Sequence, residues 1–173
     1  MSEKPDYKNS LNLPRTGFPM QASLVQREPE RLARWEQEGI YARIQQARAD
    51  TPRFVLHDGP PFANGDVHIG TALNKVLKDL VVKSKTLRGF QAPYVPGWDC
   101  HGLPIESKVT QELRAAGHPH PETAALRTAC EAYARKYIDL QRTQFKRLGV
   151  FGDWEQPYLT LDLQYEADEL RLF

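Results

Sequence analysis

Phe54-Val55-Leu56-His57-Asp58-Gly59-Pro60-Pro61-Phe62-Ala63-Asn64-Gly65-Asp66-Val67-His68-Ile69-Gly70-Thr71 decides how the chain is arranged. Residues 54–57 form a short apolar run that predicts a buried strand. The loop that follows holds two prolines and two glycines, so it turns readily but has little freedom at Pro60-Pro61. A helix is predicted to open at His68. Strand, glycine-rich loop and helix N-terminus in this order present free N–H groups and the positive end of a helix dipole to an anion.

From Ile69 onward, Leu73, Val76, Leu77, Leu80, Val81 and Leu87 recur at helical spacing, and Gly89 suits the residue after a helix end. Lys75, Lys78, Asp79, Lys83 and Lys85 fall on the opposite face. That face reads as solvated, with a contact to nucleic acid as the alternative. Ala92-Pro93-Tyr94-Val95-Pro96 predicts a second short strand, placed near a sheet edge or end by its prolines. Gly97-Trp98-Asp99-Cys100-His101-Gly102 reads as a second polar loop. Strand, helix, strand is a βαβ unit, so the expected fold class is α/β with a parallel sheet and a right-handed crossover. Both loops then leave the carboxyl ends of their strands, where open α/β sheets bind ligands.

Upstream, residues 1–27 read as an extended polar arm anchored by Leu11, Leu13, Phe18 and Met20, with Pro14 and Pro19 opposing a helix. Residues 29–48 predict an amphipathic helix with Pro29 in its first turn, Leu32, Trp35, Ile40, Tyr41 and Ile44 on its apolar stripe, and Gly39 as a weak point. Downstream, residues 103–116 predict a helix with Pro104 in its first turn and Gly117 past its end. His118-Pro119-His120-Pro121 is a linker, and its two histidines lack the company of a ligand cluster. A long helix is expected over 122–148, with Leu126, Cys130, Tyr133, Tyr137, Leu140 and Leu148 inward. A short extended piece at 158–161 and a helix from 165 to 173 complete the reading. Residues 1–50 form the arm and helix, and 51–173 the main domain.

The formal net charge of +1 supplies no global field toward nucleic acid or membranes. No apolar run approaches membrane-spanning length, and the polar start Met1-Ser2-Glu3-Lys4-Pro5 has no secretory h-region. Cys100 and Cys130 form no CxxC and read as unpaired thiols of a reducing compartment. A cytoplasmic location is expected.

On the first turn of its helix, His68 can hydrogen-bond a phosphate oxygen and stabilise charge building at phosphorus. Gly70 leaves room for a planar base to lie on the backbone. Asp99, on the neighbouring loop, can hold an ammonium group. Together these would place a nucleotide beside an amino-bearing substrate, where in-line attack at the α-phosphate needs mainly positioning and electrostatics. Structural roles compete with each of these: His68 as a helix cap, and Asp99 as the cap of the helix beginning near Leu103.

The stretch from Asp58 through Thr71 and Ala72-Leu73-Asn74-Lys75, with Pro96-Gly97-Trp98-Asp99-Cys100-His101-Gly102-Leu103-Pro104-Ile105-Glu106, resembles the isoleucyl-tRNA synthetases, which are class I aminoacyl-tRNA synthetases. The segments at 11–20 and 147–154 are also similar to that family. The related valine and leucine enzymes differ around the glycine–proline loop and the Trp98-Asp99 segment. The resemblance implies the first half of a Rossmann-like catalytic domain, truncated before an editing insertion. Pro61, Phe62, Ala63, Asn64, Gly65, Asp66, Val67, His68, Ile69, Gly70 and Thr71 would be the "HIGH" signature region. His68 and Thr71 would be catalytic, and Gly59, His68, Gly70 and Thr71 would bind ATP with its Mg2+. Pro60 and Asp99 would bind L-isoleucine. The implied reaction gives isoleucyl-adenylate and then isoleucyl-tRNA(Ile), by an enzyme that is monomeric when complete. Zinc is not implied within these residues. Thr71 departs from the family's fourth histidine; its hydroxyl can donate one hydrogen bond but cannot become cationic. The lysine-rich loop that clamps pyrophosphate, the editing domain and the anticodon-binding domain have no counterpart here, so these residues alone are not expected to be competent. The alternatives are another nucleotidyltransferase with a His-x-Gly-His site, and a truncated, non-catalytic paralogue that binds nucleotide weakly.

Overall fold

The computed structural model describes residues 7, 10–12, 16–17, 21–118 and 121–173. The expected arm anchors Leu13, Phe18 and Met20, the prolines at 14 and 19, and Pro119 and His120 of the linker lie outside the described residues. Among the described residues, six helices and two short strands follow in the order α1 (Leu24–Gln37), α2 (Ile40–Ala47), α3 (Ile69–Leu87), β1 (Gly97–Trp98), α4 (Leu103–Ala115), α5 (Thr123–Arg147), β2 (Tyr158–Leu159) and α6 (Leu163–Leu172).

The helix expected over 29–48 is two helices that begin earlier, at Leu24. Gly39 sits at φ +58° and separates them, because a left-handed residue cannot continue a right-handed helix. Pro29 lies inside α1 rather than in its first turn. At α4 the expectation holds, with Pro104 in the first turn and Gly117 at φ +90°.

The sheet differs from its expectation. β1 and β2 pair in parallel, Gly97 with Tyr158 and Trp98 with Leu159. Residues 54–57 form no ladder; the first segment joins the second only at the parallel bridges Arg53–Gln91 and Phe62–Asp99. The cause is the supply of donors on the middle segment. Pro93 and Pro96 have no N–H. The Tyr94 N–H goes to the Tyr41 hydroxyl (3.0 Å), and the Gly97 N–H to the Asp58 carboxylate (3.1 Å). The strand expected at 92–96 therefore forms one step later, in residues read as loop. It is also central rather than at an edge: Asp99 N–H donates to Pro61 on one side (2.9 Å), and Tyr158 N–H to Pro96 on the other (3.0 Å).

The core lies beneath this middle segment. Trp98 and Phe145 are fully buried, and their rings meet that of Trp154 with centroids 5.8–6.4 Å apart. Ile105 and Val109 of α4 and Tyr133, Ala134 and Ile138 of α5 close the same cluster. Leu148, expected inward, is half-exposed at the C-cap of α5, while Phe145 and Val150 on either side of it take the core positions. α1 docks through the Trp35–Phe151 edge contact (5.5 Å), the Arg147–Glu28 pair (3.0 Å) and the Lys146–Glu36 pair, and α2 through the Tyr41–Phe151 ring contact (6.4 Å) and the Tyr41 hydroxyl's bond to the Tyr94 carbonyl (3.2 Å). Cys100 and Cys130 are free thiols.

Candidate nucleotide and amino-acid site

His68 is the N-cap of α3, with extended backbone (φ −83°, ψ 166°). Its Nδ1 accepts from the Gly70 N–H (3.1 Å) and, more weakly, the Thr71 N–H (3.4 Å), while its Nε2 lies 2.9 Å from Thr71 Oγ1. An Nδ1 that accepts leaves the proton on Nε2, so the ring donates to the threonine. The capping role that competes for His68 is thus the one it plays here. The face of Gly70 is taken by the same ring: a Cβ there would stand 3.0 Å from the imidazole. An anion arriving at this helix end would replace the imidazole on two backbone donors.

Asp99 is half-buried, and its Oδ1 accepts from the His101 N–H (3.2 Å). It does not cap α4, whose N-cap Gly102 makes no side-chain cap. Its backbone ties it to the first loop in both directions: Asp99 N–H to Pro61 O (2.9 Å) and Ala63 N–H to Asp99 O (2.8 Å). Pro60, Pro61 and Asp99 are therefore brought together at the carboxyl ends of adjoining parallel segments. A cleft of about 710 Å³ runs past Cys100, His101, Ile105, Glu106 and Cys130.

Several residues that hold this site were not singled out from the sequence. Gln141 on α5 spans three groups: its Oε1 accepts from Trp98 Nε1 (2.9 Å), and its Nε2 donates to the carbonyls of Phe62 (3.1 Å) and Gly65 (3.0 Å). One turn on, Gln144 accepts from the Val67 N–H (2.8 Å) and donates to Asp66 (2.6 Å). Tyr133, expected inward, is buried, and its hydroxyl donates to Asn64 (2.8 Å). A glutamine pair three apart on an otherwise apolar helix face was the available signal.

The lysine face of α3 is a correction. Lys75 is 1% exposed and Asp79 7%, whereas Leu73, Leu77 and Leu80 are each more than half exposed. Lys75 reaches the Asp58 carboxylate and the Tyr94 hydroxyl (3.1 Å), between the rings of Tyr94 and Phe145. Lys78 reaches the other Asp58 oxygen (2.6 Å) and the Gly59 carbonyl (3.3 Å). Burial by itself pushes the Asp58 carboxyl up; the Lys75 charge and hydrogen bond, joined by Lys78, outweigh it and hold the group below the usual carboxylate range. Burial pushes Lys75 down, against the pull of Asp58. The nucleic-acid alternative for these lysines loses its basis, because their charge is spent internally.

The family model of class I tRNA synthetases (I, L, M and V) matches residues 30–173. The chain is 60% identical over 168 residues to an isoleucine–tRNA ligase of Desulfitobacterium hafniense, covering 97% of this chain and 18% of that protein. It is 58% identical over 166 residues to the isoleucine–tRNA ligase of Methylococcus capsulatus, again 18% of its length, and 52% identical over 170 residues to that of Brachyspira hyodysenteriae. The chain thus spans about 18% of the length of these relatives. Among solved structures it is similar to an Agrobacterium radiobacter K84 LeuRS, from a ternary complex with tRNA and LeuAMS. The TM-score is 0.65 at 21% identity, over 88% of this chain and 17% of that one. At that identity the likeness shows the fold alone.

Proposed function

The chain belongs to the class I tRNA synthetases, and from that premise we propose that it forms the ATP- and amino-acid-binding part of an isoleucine–tRNA ligase. Residues 51–173 would be the first half of a Rossmann-like catalytic domain, and 1–50 an arm and helical pair laid over it. One observation carries this reading. The parallel segments put Pro60 and Pro61 within one hydrogen-bonded step of Asp99, beside a helix N-terminus that begins at His68.

In the proposed roles, Asp99 holds the α-ammonium of L-isoleucine and Pro60 lines the pocket for its side chain. Gly59 leaves backbone room for the nucleotide, and Gly70 does so once the His68 ring leaves its face. His68 and the α3 backbone donors hold the phosphates of ATP, which carries magnesium as part of the substrate. A carboxylate oxygen of isoleucine attacks the α-phosphorus, a new P–O bond forms, and the bond to pyrophosphate breaks. Stabilising the charge on the phosphoryl oxygens falls to His68 and Thr71. Transfer to tRNA(Ile) follows in a polypeptide of the relatives' length, cytoplasmic and monomeric; these residues alone would bind an adenylate weakly and turn nothing over. Among the described residues no helix is long and apolar enough to cross a membrane. The exposed apolar face of α3 supports a further layer in that longer polypeptide.

The test is isoleucine-dependent ATP–pyrophosphate exchange by a full-length ligase carrying this sequence. Exchange with isoleucine, and its loss in Asp99→Ala with the protein folded, is the expected result. No exchange with any of isoleucine, valine, leucine or methionine would overturn the reading. Thr71→His is expected to raise kcat for exchange with little change in the KM for ATP, since the added cation acts on charge that develops in the transition state. An unchanged rate would remove that role from Thr71.

A further inference from the structure

The Asp58 carboxylate, with none of its side chain exposed, is the point where three segments meet. Oδ2 accepts from Lys75 and from the Gly97 N–H (3.1 Å), and Oδ1 accepts from Lys78 (2.6 Å). The Asp58 carbonyl accepts from the Tyr158 hydroxyl, and the ring of Tyr158 lies flat against Gly97, where a Cβ would come within 2.1 Å of it. The loop bearing Gly59 and Pro60, the segment bearing Asp99, and β2 are therefore all set against one buried group. A buried ion pair is a poor source of net stability, because desolvation roughly offsets the attraction. What it supplies at low cost is a fixed geometry with directional donors. Asp58 and Lys75 are each 1% exposed and out of a substrate's reach, so neither is a catalytic residue.

We propose that Asp58, held by Lys75 and Lys78, is a positioning residue that sets the spacing between the Gly59–Pro60 loop and the Trp98–Asp99 segment, and through it the fit of the amino-acid substrate. This rests on the ligase reading above. If Pro60 contacts the side chain and Asp99 the ammonium, a shift of one loop against the other mis-spaces two contacts to one small molecule. Both contacts act on the bound substrate before and during reaction alike, so their loss falls on KM.

The test uses the full-length ligase carrying this sequence. It combines steady-state exchange kinetics with hydrogen–deuterium exchange of peptides covering 58–66 and 96–102. Asp58→Asn alone leaves the Lys75 ammonium buried without its partner, so the informative variant is D58N/K75M, which removes both charges together. Its amide has one oxygen and cannot serve both the Gly97 N–H and Lys78. The folded double variant is expected to raise KM for isoleucine about tenfold with kcat nearly unchanged, as lost positioning of a bound group does. Both peptides are expected to lose protection while peptides of α5 keep theirs. K78M, which keeps the buried pair, is expected to raise the same KM about threefold. Wild-type values in either readout of a folded D58N/K75M overturn the proposal. If that variant does not fold, K78M decides by the same criteria. If the wild-type ligase shows no isoleucine-dependent exchange, the ligase reading falls. The coupling is then judged on the two peptides, and unchanged protection overturns it.

Discussion

The two faces of α3 invert the usual rule. The face turned to the core carries Lys75, Asp79 and Val82, and the face turned to solvent carries Leu73, Leu77 and Leu80. Each inward charge has a directional partner. Lys75 meets Asp58; Asp79 accepts from Lys83 (2.6 Å) and from the Phe151 N–H (2.9 Å). The outward leucines have none. Amphipathic spacing establishes that a helix has two unlike faces. It does not say which face is inward when the charged one is fully partnered.

The largest effect expected on this contrast is at Asp58. Replacing it by Asn should cost about 3–5 kcal/mol, because the Lys75 charge stays buried unpaired, and D58N/K75M should recover most of that loss. Urea unfolding of the 173-residue chain measures both. If Asp58→Asn proved neutral, the inward charges would be solvated after all, and the two faces would not differ in kind.

The same residue sets an acid dependence. Its carboxyl is held low in the folded protein by Lys75 and Lys78 against the upward push of burial. Its contribution is therefore complete above the ordinary aspartate range and is lost as pH falls through the depressed folded value, below about pH 4. D58N/K75M lacks this contribution and should show a shallower loss over that interval. Parallel curves for the two proteins would place the acid transition elsewhere.

Asp79 should matter less. Asp79→Ala leaves Lys83 with only the Gly149 carbonyl (2.9 Å) and the Phe151 ring as partners and leaves the Phe151 N–H without its acceptor, at about 1–3 kcal/mol. Since Phe151 holds Trp35 of α1, the loss should also loosen α1, seen as faster hydrogen exchange there.

What could be read from the chain beforehand follows from the range of each interaction. The boundaries of α3 and α4 and the parallel sense of the chain depend on nearby residues: a cap at His68, Pro104 in a first turn, a glycine past each end. The His68–Gly70–Thr71 turn was equally local. The strands were misplaced by a few residues because their donors are taken by side chains from distant elements, Tyr41 and Asp58, which no local pattern reveals. Gln141 and Gln144 act across more than seventy residues of chain, and their role needed the fold. Lys75 lies on the predicted helix, but composition alone assigns a lysine to solvent, since burial requires a partner that has to be found first.

The smallest effect belongs to the outward face. Leu73→Gln, Leu77→Gln and Leu80→Gln in the 173-residue chain should each change stability by less than about 0.5 kcal/mol, as surface substitutions do. They should also reduce self-association measured by light scattering, since a contiguous exposed apolar stripe favours it. Leu77→Ala then separates two accounts of that stripe. If another layer covers α3 in a polypeptide of the relatives' length, Leu77→Ala should cost about 2–5 kcal/mol there and almost nothing in the short chain. Equal, negligible costs in both would mean that the leucines face solvent in either context. The contrast between the faces would then be intrinsic to α3, not a consequence of what packs on it.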